Sequence, residues 1–116
     1  MNIIRNSIII IHDYEYDTIA NIQSEAVSFW TRYYDENCEI TEPIVSNILP
    51  SIFNKEYTLI ISGDCALDSN LKDQITRDRR SWCNHIYNKY LPQNIVVVNV
   101  GDGKESFIEY QLPKRE

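Results

Sequence analysis

Residues 7–12 read SIIIIH, residues 57–62 read YTLIIS and residues 94–100 read NIVVVNV. How these three runs pair decides the fold. Each is short, rich in β-branched residues and almost without polar alternation. Such a run suits a strand covered on both faces, the usual condition of a parallel sheet. Helical patterns lie between the runs, and strands that alternate with helices pair in parallel through right-handed crossovers.

The first helical pattern follows Asp17-Thr18, a helix cap, with Ile19, Ile22, Ala26, Phe29, Trp30 and Tyr33 at 3.6-residue spacing. It predicts a helix reaching about as far as Tyr34. Thr41-Glu42-Pro43 is a second start signal, with proline in the first turn, where its missing N–H costs nothing. Ile44, Val45, Ile48, Leu49 and Ile52 continue an apolar face, and Pro50 ends or kinks this short helix. Asp68-Ser69 caps a longer one with Leu71, Ile75, Trp82, Ile86 and Tyr90 facing inward; Asp78 and Arg79 interrupt its stripe. Leu91-Pro92 ends it. Asp102-Gly103 predicts a hairpin, because both central residues of a type I′ turn need positive φ. The returning strand, 105–112, alternates, with Ile108, Tyr110 and Leu112 expected on one face. The expected order is β-α-α-β-α-β-β. It forms one small three-layer α/β domain over residues 1–116, with a mostly parallel sheet and an antiparallel C-terminal edge strand.

The chain has 116 residues, 43% of them apolar and 24% charged, a globular balance. A net charge of −6 excludes a general binder of nucleic acid, which needs a basic footprint, and disfavours an anionic membrane surface. It favours a basic protein partner. The first apolar run, Ile8–Ile11, is too short for a signal peptide, and nothing approaches a membrane span. Cys38, Cys65 and Cys83 are widely spaced and odd in number, so free thiols in a reducing cytoplasm are expected. They lack the close pairs of a zinc site, and Cys83 and His85 point apart on a helix. Gly101-Asp102-Gly103-Lys104 lacks the spacing of a phosphate loop. Arg77, Arg79 and Arg80 read as a solvated helix face with Asp73 and Asp78 for partners.

Two sites remain. Parallel sheets place ligands beyond the carboxyl ends of their strands. Asp13, Asp64 and Asp68 stand there and would suit Mg²⁺ and metal-assisted phosphodiester hydrolysis, the alternative function. The other is the stretch 32–43, RYYDENCEITEP. Tyr33, Tyr34, Asp35, Glu36, Asn37, Glu39 and Glu42 place aromatic anchors among carboxylates in a connection between two helices. Such a surface steers a basic partner electrostatically. A third reading, a homo-oligomer, rests on Val27 and the edge strand at 105–112.

Tyr33-Tyr34-Asp35-Glu36-Asn37-Cys38-Glu39 resembles the tyrosine-tyrosine-glycine-glutamate-asparagine-leucine-aspartate stretch of barstar-like ribonuclease inhibitors. The family glycine is Asp35 here. Where the family continues alanine-leucine-tryptophan-aspartate, this chain has Ile40-Thr41-Glu42-Pro43. The resemblance implies a small parallel sheet flanked by helices and contact roles for Tyr33, Asn37 and Glu39, with Glu42 near further interface positions. It also implies a cytoplasmic immunity protein, free of cofactors, that occludes the active site of a basic nuclease-type toxin.

Overall fold

The computed structural model describes residues 6–37, 44–51, 55–62, 69–101 and 104–114. In chain order the elements are β1 (Asn6–Asp13), α1 (Tyr16–Asn37), β2 (Ile44–Val45), β3 (Leu49–Pro50), β4 (Tyr57–Ser62), α2 (Ser69–Tyr90), β5 (Asn94–Gly101) and β6 (Lys104–Leu112). The sheet order is β2-β4-β1-β5-β6, and β3 pairs with β4 on the same side as β2.

Every pairing is antiparallel. This corrects the parallel sheet. Both crossovers run as expected, but each skips one position. The strand after α1 is β2, and β4 lies between it and β1. The strand after α2 is β5, and β1 lies between it and β4. Each helix therefore links strands of like direction that are not neighbours, and an antiparallel strand fills the gap. The second helix expected from Thr41-Glu42-Pro43 is replaced at Ile44–Pro50 by the interrupted edge strand β2/β3. Ser46 makes the interruption: its N–H donates to Ile60 O at 2.8 Å, and its Oγ accepts from Ile60 N–H at 2.9 Å. A side chain thus stands in for one ladder acceptor. Gln23 Nε2 on α1 donates to Ser46 O at 2.9 Å and ties this edge to the helix.

The core lies on one face of the sheet. Ile9 and Ile11 of β1, Leu59 and Ile61 of β4, and Ile95 and Val97 of β5 are in lateral register and buried. Against them pack Ile19, Ile22, Ala26 and Trp30 of α1 and Ile75, Trp82, Cys83 and Ile86 of α2. The periodic stripes of both helices are accounted for. Among the described residues, no helix covers the other face, so the layers number two rather than three. Ile8, Ile10, Ile60, Val96 and Val98 on that face are half-buried, where full cover was expected.

The break at Asp78-Arg79 is an ion pair at the core margin. Arg79 is 3% exposed, and its Nη1 lies 3.7 Å from Glu109 Oε2 on β6. Glu109 is the extra residue where β6 slips against the Val97–Val98 step. The bulge also redistributes side chains. Tyr110 and Leu112 stay on the helix side opposite Val97 and Ile95, while Ile108 joins Val98 on the open side. The single face expected for Ile108, Tyr110 and Leu112 is corrected accordingly.

The chain leaves α2 through Leu91. It takes φ 48° and donates its N–H to Tyr87 O at 2.9 Å, a left-handed helix end on a residue that carries a Cβ. Among the described residues, no helix is long and apolar enough to cross a membrane.

Candidate functional site

Helices α1 and α2 run antiparallel across the sheet, with Glu25 beside Lys89 and Tyr33 beside Asp78. One stripe of each helix lines the seam between them. Glu25, Phe29, Tyr33 and Glu36 recur on α1 at steps of four, four and three; Gln74, Asp78, Ser81, Trp82 and His85 do so on α2. Between them lies a cleft of about 650 Å³, within the range of small-molecule sites.

Its floor is aromatic. Phe29 stacks on Tyr33 at 5.8 Å and on Trp82 at 6.2 Å between ring centroids, with interplanar angles of 29° and 24°. Trp30 supports them from below, edge-on to Phe29 at 4.8 Å and to Trp82 at 5.6 Å. These contacts hold the ring faces in fixed directions.

The walls carry three carboxylates, Glu25, Glu36 and Asp78, against one imidazole, His85. Asp78 Oδ2 accepts a 2.6 Å hydrogen bond from the Tyr33 hydroxyl. That bond fixes the Asp78 carboxylate at the phenolic edge of Tyr33. Glu25 is held harder. Its Oε2 accepts from the Tyr90 hydroxyl and lies 3.0 Å from Lys89 Nζ; its Oε1 lies 3.4 Å from His85 Nε2. Desolvation is the largest influence on Glu25 and raises its pKa. The hydrogen bonds from Tyr90, Lys89 and His85 together outweigh it and keep the carboxyl below its ordinary value. The same contact with Glu25 pushes up Lys89 and Tyr90. One end of the cleft is therefore a compensated ion cluster. The other, around Asp78 and Glu36, is a negative site beside aromatic side chains. That combination suits a cation.

Of the residues expected to bind a partner, the structure describes the side chains of Tyr33, Asp35 and Glu36. Tyr33 is buried, 8% exposed, and faces Asp78 rather than solvent. Glu36 is exposed at the cleft, and Asp35 is exposed on the same turn. Tyr34 and Asn37 lie within α1, which runs past the expected helix end at Tyr34. Glu39 and Glu42 fall outside the described residues. The helix–loop–helix connection that was to present them is not formed as expected: α1 continues through Asn37, and the next element described is a strand.

Of the alternative metal site, only Asp13 lies among the described residues. Asp13 pairs in register with Tyr57, at the start of β4, while Ser62, the end of β4, pairs with Ile8. The carboxyl ends of β1 and β4 thus point to opposite ends of the sheet, separated by five residue steps, ~17 Å. Both Asp13 oxygens are used for backbone: Oδ2 accepts from Glu15 N–H and Oδ1 from Gln93 N–H, each at 3.0 Å. Asp64 and Asp68 lie outside the described residues, as do Cys38 and Cys65. Among the described residues, no cluster of metal-ligating side chains occurs. Cys83 is buried, and desolvation pushes its thiol up to about 12, so it is no nucleophile.

Sequence reading missed Glu25, Phe29, Asp78, Trp82 and His85 as site residues. The signal was present in two places. Acidic and aromatic residues recur together at helical spacing in 25–36, and the apolar stripe of α2 breaks at Asp78.

The chain matches no protein-family model and no curated protein. Among solved structures it is similar to a phage SAM lyase in complex with S-methyl-5'-thioadenosine. The likeness spans 90% of this chain and 87% of that one, with 8% identity and a TM-score of 0.47. The all-antiparallel sheet and the edge strand at Ile44–Pro50, in place of a second helix, remove the helix–loop–helix on which the reading of this chain as an immunity protein that neutralises a toxin rested, and correct it.

Proposed function

We propose that this chain binds a small organic cation, of the quaternary ammonium, guanidinium or sulfonium kind, in the cleft between α1 and α2. The observation that carries the reading is one cleft lined by the carboxylates of Asp78 and Glu36 and by the aromatic side chains of Phe29, Tyr33 and Trp82. Rings present their negative quadrupole face to a cation, and a carboxylate beside them supplies the counter-charge. A neutral or anionic ligand of the same shape gains from neither. The Glu25 cluster closes the far end. It offers a fixed acceptor and an adjacent imidazole, which together suit a ligand that carries a hydrogen-bonding group some distance from its charge. We place the chain in the cytoplasm, in keeping with the unpaired Cys83 thiol.

The test is a thermal-shift panel read beside Trp fluorescence. Tetramethylammonium, arginine, choline and S-adenosylmethionine form the cationic arm; their anionic and neutral counterparts of similar size form the other. Stabilisation confined to cations, with a change in Trp emission that Asp78→Asn abolishes, supports the reading. A shift given equally by neutral compounds, or none by any cation, ends it.

A further inference from the structure

The sheet face turned away from the helices is built for burial, yet no described element covers it. Its rows follow from the register. Ile60, Ile10 and Val96 lie side by side across β4, β1 and β5; Ile8, Val98 and Ile108 form the next row across β1, β5 and β6. Val100 and Ile108 are 37% and 58% exposed, and Leu49 on the β3 edge is 44% exposed. At one end Thr58, His12 and Asn94 make a polar row, with Thr58 Oγ1 3.3 Å from His12 Nδ1 and Asn94 Oδ1 buried without a hydrogen-bond partner.

We propose that this face docks on the same face of a second copy of the chain, giving a four-layer α/β/β/α dimer. Charge argues for the second copy. None of the side chains just named is a carboxylate, an ammonium or a guanidinium, although the chain carries a net −6. These described side chains offer no fixed charge with which to select a charged partner, and two such patches do not repel. The acidic side chains of the helices, Glu25, Asp35, Glu36, Asp73 and Asp78 among them, stand on the opposite layer. Face-to-face stacking therefore puts the two acidic layers on the outside, as far apart as the assembly allows. Area bears on it as well. The described strands have 8, 2, 2, 6, 8 and 9 residues, and at ~4.8 Å by ~3.3 Å per residue they present ~550 Å² in projection. The accessible surface of a pleated face exceeds its projection, and a stable interface takes ~800 Å² from each partner. Flat rows of Ile and Val interdigitate at the ~10 Å spacing of stacked sheets.

The experiment is sedimentation equilibrium across about a hundredfold range of concentration, on wild type and three variants. Ile108→Lys adds a charge on the open face at a position already exposed, so folding tolerates it; Val98→Lys adds one at the centre; Val27→Lys, on the outer surface of α1, is the control. Far-UV circular dichroism checks each fold. The expected result is wild type at twice 13.7 kDa, with Ile108→Lys and Val98→Lys raising the dissociation constant at least ~10-fold and Val27→Lys leaving it unchanged. Wild type at 13.7 kDa throughout overturns the proposal. So does an assembly that neither open-face substitution weakens.

Discussion

Replacing Glu109 with Gln tests the account of the α2–β6 contact. Arg79 is 3% exposed, and the Glu109 side chain is 11% exposed, so both charges have lost most of their water. Breaking a buried pair by removing one partner typically costs ~3–5 kcal/mol, because the remaining buried charge loses a counter-charge that water does not replace. At 3.7 Å the pair is long for a hydrogen-bonded contact, and Gln keeps an acceptor oxygen. Both features place the cost at the low end, ~2–3 kcal/mol. Unfolding entropy at ~2.1 cal/mol/K per residue turns that into a fall in Tm of about 8–12 °C for a chain of this size. Urea denaturation followed by far-UV circular dichroism reads it directly, as a lower midpoint with an unchanged slope. The double replacement Arg79→Met with Glu109→Leu removes both charges and should recover most of the loss. A Glu109→Gln variant within ~0.5 kcal/mol of wild type, as for an ordinary surface substitution, would refute the reasoning.

Further outcomes follow from other parts of the structure. Leu91→Gly relieves a left-handed residue at the end of α2 and should raise stability by about 0.5 kcal/mol, once the added freedom of the unfolded chain is subtracted; a loss in the urea midpoint would contradict this. Burial of Cys83 raises its pKa to about 12. The native thiol should therefore resist maleimide at mildly alkaline pH and react at once in denaturant; the stability it contributes holds below the ordinary thiol value of 9.0 and is lost as pH rises toward 12. Glu25 has a lowered pKa, so its contribution is present above the ordinary value of 4.5 and lost as pH falls through the folded value. The gap in Tm between wild type and Glu25→Gln should accordingly close in acid, and a gap that stays constant would sink the assignment. Trp82→Ala removes a ring from both core and cleft and should cost ~3–5 kcal/mol.

What the sequence made legible was local. The strands at 57–62 and 94–100 and the helix from Ser69 to Tyr90 follow from composition, periodicity and the Leu91-Pro92 stop. Pairing was not legible, because a run such as SIIIIH reads the same under two helical layers as under one. The missing second layer shows only as half-burial of Ile8 and Ile10. The segment Ile44–Pro50 misled for a similar reason. Its apolar spacing fits one helical face, but Ile44, Val45, Leu49 and Pro50 pair with β4, and Ser46 bonds to Ile60 in the gap between them. In β6, alternation predicted the faces until Glu109 added one residue, and Arg79 is what draws that residue inward. The cleft was half visible. Tyr33 and Glu36 were singled out for their chemistry, but their partners Asp78 and Trp82 stand far away in sequence on α2 and meet them only across the helix seam.

The central claim is recognition of positive charge in that seam, and one titration tests it most directly. Calorimetry with choline is compared with 3,3-dimethylbutanol, which has the same shape and hydroxyl but a carbon in place of the charged nitrogen. Contact of a cation with ring faces contributes ~0.5–2 kcal/mol. The account therefore predicts that choline binds and that the neutral compound binds several-fold more weakly or not at all. Equal binding of the two, or binding of choline unchanged by Asp78→Asn, would contradict it.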